Sequence, residues 1–151
     1  MSHDAYDDGA IRDLLASVRT IAVVGASPKE TRPVFGVMAY LLKVGYRVIP
    51  INPGHAGKEI QGQRVRARLA DVPEPIDLVD IFRRREALAA VVDEALALSP
   101  KPRAIWMQLD LWDDAAAARA AAGGVIVVMD RCIRIEHGRL FRNTLTETRP
   151  R

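Results

Sequence analysis

The stretch Thr20–Gly36, TIAVVGASPKETRPVFG, decides how the rest of the chain is read. Ile21, Ala22, Val23 and Val24 form an unbroken apolar run that delivers Gly25 into a polar, proline-containing loop, and apolar spacing resumes at Phe35. Such a run reads as a strand buried on both faces, and a strand handing a glycine to a crossover is how α/β folds meet phosphate-bearing ligands. The loop is longer than the roughly two to six residues usual for such a connection, which favours a role in binding. Gly25-Ala26-Ser27-Pro28 stands where a dinucleotide turn carries G-x-G-x-x-G, with Ser27 in the place of the middle glycine. Ser27 then has two readings: a hydroxyl that meets a diphosphate beside Lys29 and Arg32, or a serine that only caps the turn.

Outward from this stretch the pattern repeats. Asp8–Arg19 reads as an amphipathic helix with Ile11, Leu14, Leu15 and Val18 on one face and Asp7 or Asp8 as its cap. Phe35–Val44 reads as a helix stopped by Gly45, and Tyr46–Ile51 as a second strand. The segment 52–75 is rich in turn signals (NPGHAG, VPEP), with a short strand or hairpin around 59–65. IDLVDIF, RAIWMQL and GVIVVM are three more strands, separated by helices over Arg85–Leu98 and Asp113–Ala122. Alternation of this kind requires right-handed βαβ crossovers. The expected fold is therefore α/β, a Rossmann-like three-layer arrangement around a parallel five-stranded sheet.

Composition narrows the function classes. The chain has 151 residues, enough for one ordinary domain with its own core, and no apolar run approaches a membrane span. The first ten residues, MSHDAYDDGA, carry acid and no apolar stretch, so a cytoplasmic protein without a signal peptide is expected. The net charge is +3, but only Lys29, Lys43, Lys58 and Lys101 of the 22 basic residues are lysines, and the arginines are spread along the chain. With no interleaving of aromatic and basic residues, a nucleic-acid partner is not expected. The exceptions to the even spread are Arg64, Arg66 and Arg68, and Arg83 to Arg85. The single cysteine, Cys132, excludes an internal disulfide and a multi-thiolate metal site.

On a parallel sheet, ligands bind beyond the carboxyl ends of the strands, so the residues there carry the functional reading. After the second strand stand Asn52 and Pro53, where an NAD site presents a carboxylate to the adenosine ribose. A missing acid, with Lys58 and Arg32 near, suits a ligand with a phosphorylated ribose, and both NADP and coenzyme A fit that description. After the third strand come Phe82, Arg83 and Arg84, an apolar face and cations for phosphate, with Arg84 and Arg85 equally readable as solvated helix-start residues. Trp106, Met107 and Gln108 follow at the end of the fourth, although a strand-end tryptophan is more often core than ligand wall.

The motifs VVGASP, VIPINP followed by GKEI, PIDLVDIFRR, IWMQL and VVMDRC occur in that order. In this order they resemble the small stand-alone CoA-binding proteins, whose domain is similar to the N-terminal domain of the succinyl-CoA synthetase α-subunit and of NDP-forming acyl-CoA synthetases. The resemblance spans roughly residues 20–137 and implies a Rossmann-like domain that binds CoA or an acyl-CoA across the strand ends. By the same resemblance, Gly25, Ala26 and Ser27 meet the diphosphate, Asn52 and Pro53 the adenosine side, and Phe82–Arg84 with Trp106–Gln108 the remaining wall. Arg32 and Lys58 join the set on charge alone. One position departs from the pattern: Asp110 stands where the family's W-x-Q-x-G has glycine. His3, His55 and His137 form no catalytic constellation, and Cys132 reads as a buried, inert thiol, so binding without catalysis is expected. The alternatives are a small NADP-dependent oxidoreductase and a CoA-sensing regulatory module. The expected organisation is a tail and helix over 1–19, the CoA-binding domain over 20–140 and a C-terminal tail over 141–151, with homo-oligomerisation left open.

Overall fold

A computed structural model describes residues 6–148, with side chains through Arg142. Its main sheet consists of β1 (Thr20–Val24), β2 (Arg47–Ile51), β5 (Leu78–Ile81), β6 (Ala104–Met107) and β7 (Ile126–Val128), and a small hairpin pairs β3 (Glu59–Ile60) with β4 (Gln63–Arg64). The five strands run parallel in the order β2-β1-β5-β6-β7. The expected parallel five-stranded α/β fold is therefore present.

Helices α1 (Asp8–Ser17), α2 (Pro33–Lys43) and α5 (Ile133–Thr148) cover one face of the sheet, and α3 (Arg85–Leu96) and α4 (Asp114–Ala122) the other. Alternation within each strand divides the core. Ile21, Val23, Leu78 and Trp106 pack toward α1, α2 and α5, whereas Ala22, Val24, Val79, Ile81 and Met107 pack toward α3 and α4. Burying a side chain of this size contributes about 1.5–3 kcal/mol, which is why these strands carry no polar face.

Local chemistry fixes the ends of the elements. Asp7 caps α1 by accepting the Ala10 N–H, and Asp77 accepts the N–H groups of Arg19 and Thr20, pinning the start of β1 to β5. Pro50 is tolerated in β2 because that strand is a sheet edge, and its carbonyl accepts the Arg66 N–H of the loop that covers the edge. Gln61 and Gly62, both with positive φ, turn the hairpin, and the Gln61 amide donates to the Phe35 carbonyl at the start of α2.

Several element ends differ from the sequence reading by one or two residues, and two differences have a clear local cause or consequence. Helix α2 begins at Pro33 rather than Phe35, since proline at the first helical position gives up an N–H that would lack a partner anyway. The sequence reading ends its regular elements at the fifth strand and leaves 141–151 as a tail, whereas helical backbone runs from Ile133 to Thr148.

Candidate functional site

The chain passes outward from β1 to β2, then returns across β1 to lay down β5 on the other side. The strand order therefore reverses between β1 and β5, and a crevice opens beyond their carboxyl ends. Gly25 and Arg83 face each other across that reversal. Gly25 has φ of +90°, and a Cβ there would collide with the Phe82 carbonyl oxygen and stand 3.2 Å from the Arg83 Cδ. Only glycine lets the two strand ends approach this closely.

Between these ends, the turn after β2, the segment 67–70 and the second half of α3 lies a cleft of about 700 Å³. Its floor is apolar, from Val24, Ile51, Leu69 and Val91, and its rim carries Gly25, Asn52, Pro53, Gly54, Arg68 and Arg83, with Glu94 further along α3. Arg68 makes an exposed 3.5 Å ion pair with Asp71. Arg83 is exposed and has no hydrogen bond or ion pair among the described residues. Cations on the rim and an apolar floor suit an anionic ligand with a flat or aliphatic body.

Asn52 holds the cleft together. Its Nδ2 donates to the Ala26 carbonyl at 2.8 Å, its Oδ1 accepts the Gly54 N–H at 2.8 Å, and its own N–H donates to Arg66 O. The amide is thus a latch between the turns after β1 and β2. An aspartate would lack the donor that reaches Ala26. The backbone N–H groups of Gly25 and Ala26 both donate to Ile51 O, at 3.0 and 3.4 Å. Positive charge for an anion therefore comes from side chains more than from these amides.

The structure brings Gly25, Asn52, Pro53 and Arg83 together and distributes the other sequence candidates around them. Ala26 is buried behind the turn, and Ser27 Oγ accepts the Lys29 N–H, which makes it a turn-former. Arg32 is exposed at the cap of α2, without a side-chain capping bond, and Lys58 is exposed in the loop before the hairpin. Phe82 follows Leu78 and Asp80 in the strand alternation, so it packs toward α1, α2 and α5, on the opposite side of the sheet from the cleft floor. Arg84 is the exposed cap of α3.

Trp106, Met107 and Gln108 do not line the rim. Trp106 and Met107 are wholly buried. Trp106 Nε1 donates to Arg131 O at 2.8 Å, and Gln108 Oε1 accepts the Ile133 N–H at the start of α5 at 3.2 Å. Beyond them Asp110 has φ of +68°, its N–H bonded to Asp130 Oδ1 at 2.7 Å and its carbonyl to Arg85 Nε. The left-handed backbone explains why glycine suits this position and why aspartate, which tolerates that region, replaces it. Arg85 also lies 3.6 Å over the Trp112 ring. The strand ends of β6 and β7 are closed by these contacts.

Two rim residues, Gly54 and Arg68, are absent from the set that the sequence singles out. Arg68 belongs to the arginine cluster at 64–68, whose clustering is visible in the sequence; its proximity to the carboxyl ends is not, because it depends on how the segment after the hairpin folds back. Among the described residues no group of histidine, cysteine and acidic side chains is placed to hold a metal ion, and no helix is long and apolar enough to cross a membrane. Cys132 is buried where α5 begins.

Comparison with known proteins agrees with this fold. The chain is 33% identical over 127 residues to the uncharacterized protein YneT of Bacillus subtilis, covering 84% of this chain and 91% of that protein. A hypothetical protein from Pyrococcus horikoshii superposes with a TM-score of 0.85 at 35% identity, over 91% of this chain and 94% of that one. A dinucleotide-forming acetyl-coenzyme A synthetase of Ca. Korarchaeum cryptofilum shares the fold, with a TM-score of 0.63 at 24% identity over 72% of this chain and 25% of its own. The family model described as a CoA binding domain matches residues 19–138, and the chain belongs to that family.

Proposed function

We propose that this protein binds coenzyme A, free or acylated, in the cleft beyond β1, β2 and β5, and carries out no chemistry of its own there. The observation that supports this most is the position of Arg83, a cation without a described partner, held across Gly25 at the reversal in strand order. Arg83 and Arg68 supply positive charge for the phosphates of CoA, the turn Asn52-Pro53-Gly54 supplies the wall for the adenosine side, and the apolar floor receives the less polar parts. Arg32 and Lys58, both exposed, add long-range attraction for a polyanion without being required for the fit. The absence of an acidic side chain at Asn52 favours a ligand whose ribose carries a phosphate.

Calorimetric titration of the purified protein with CoA, with NADP as the control, tests the reading. Saturable binding of CoA with one site per chain, and at least tenfold weaker binding of NADP, is expected. Equal affinity for the two, or binding of NADP alone, would replace CoA with a dinucleotide.

A further inference from the structure

One polar group in the core takes no part in the cleft. Asp80, in the middle of β5, is 0% exposed, and neither carboxyl oxygen has a hydrogen-bond partner among the described residues. Its neighbours in the sheet register are Val23 on β1 and Trp106 on β6, and strand alternation directs it to the face covered by α1, α2 and α5. A buried ionised carboxylate without a partner costs several kcal/mol, so a neutral acid is the form such a place tolerates.

Among the described side chains, the charged groups on the covering elements are engaged elsewhere or stand in solvent. Asp8 on α1 and Glu136 on α5 bind Arg139, and Glu136 also binds Arg131. Tyr40 on α2 shares a 2.7 Å hydrogen bond with His137 on α5. Arg12 and Arg134 lie over the rings of Phe141 and Tyr40. Asp13 and Lys43 are exposed, Cys132 gives Asp80 no hydrogen bond, and β1 and β6 bring no titratable side chain. Burial alone pushes the Asp80 carboxyl well above the ordinary carboxylate range.

We propose that Asp80 is a neutral acid built into the core beneath α1, α2 and α5, and that it makes the fold lose stability as pH rises from the acid side. The unfolded chain releases this proton near pH ~4, whereas the native chain keeps it to a much higher pH. Between those limits the native state holds one proton more than the unfolded state. Stability is therefore greatest at the acid end of that window and declines as pH rises. The site lies two residues before Phe82 and three before Arg83, so the sensitive point is in the strand that carries one side of the cleft. This pH dependence is expected whatever the cleft binds.

Urea unfolding of the native sequence and of Asp80→Asn, from pH 5 to pH 8, tests it through their difference, in which other titrations cancel. The expected result is an unfolding constant of the native sequence that rises with pH relative to the variant, by up to about tenfold per pH unit. A flat difference, or one of the opposite sign, would show that Asp80 is ionised in the folded protein and overturn the proposal. Should Asp80→Asn fail to fold, the Asp80 carboxyl carbon resonance in the native sequence gives the answer directly at pH 7. A neutral-acid shift supports the proposal and a carboxylate shift contradicts it.

Discussion

The carboxyl edge of the sheet has two halves built from the same kind of strand, yet one is open and the other shut. At β1, β2 and β5 the chain leaves each strand through a turn, and the first two turns bond to each other's backbone: Gly25 and Ala26 to Ile51, and the Asn52 amide to Ala26 and Gly54. Those bonds consume the turns' own polar groups and leave Arg68 and Arg83 on the rim of a cleft. At β6 and β7 the bonds run across the top of the strands, from Trp106 to Arg131, from Ile133 to Gln108 and from Asp110 to Asp130, and the strand ends disappear under the start of α5. Lying beyond a strand's carboxyl end is therefore not enough to make a binding residue. The segment that leaves the strand must also fold away from its end.

The largest expected effect belongs to the open half. In Gly25→Val the new side chain meets the Phe82 carbonyl from a left-handed backbone position, and two strand ends must separate. A loss of about 3 kcal/mol or more is expected in urea unfolding, together with loss of CoA binding in whatever fraction stays folded. A variant of parental stability would mean that the close approach of β1 and β5 is not needed for the fold.

A smaller effect, separated by kind, is expected from the closed half. Gln108→Ala orphans the Ile133 N–H and opens space beneath α5, so a loss of about 1–3 kcal/mol is expected in stability. CoA affinity, measured by titration where the variant is fully folded, should stay within about twofold of the parent because Gln108 closes its strand end and does not line the cleft. A tenfold loss of affinity at unchanged fold would move the ligand toward β6 and erase the difference between the halves.

The open half is partly legible in the sequence because its signals are local. The apolar run before Gly25 and the turn residues of INPG place themselves at strand ends without knowledge of the rest of the chain. Trp106–Gln108 mislead for a reason of range. The partners of Trp106 and Gln108, Arg131 and Ile133, each lie 25 residues further along, and only the packing of α5 shows that these side chains point inward. Helix α5 itself is hidden by its composition. Gly138, a weak helix former, lies inside it, and Glu136 and His137, though polar, are among the residues it buries. His137 is sheltered by Tyr40, Tyr46 and Phe141, a set of contacts no periodicity scan weights as apolar. Arg68 reaches the rim only once the loop after the hairpin has folded back.

Amide shift mapping by heteronuclear NMR during a CoA titration tests the contrast between the two halves most directly. The largest changes are expected on residues 25–27, 52, 54, 67–70 and 83, while the amides of 106–110 and 126–133 move little. Changes concentrated at 106–110 and 126–133, with residues 25–27, 52 and 54 unmoved, would contradict binding in the open half.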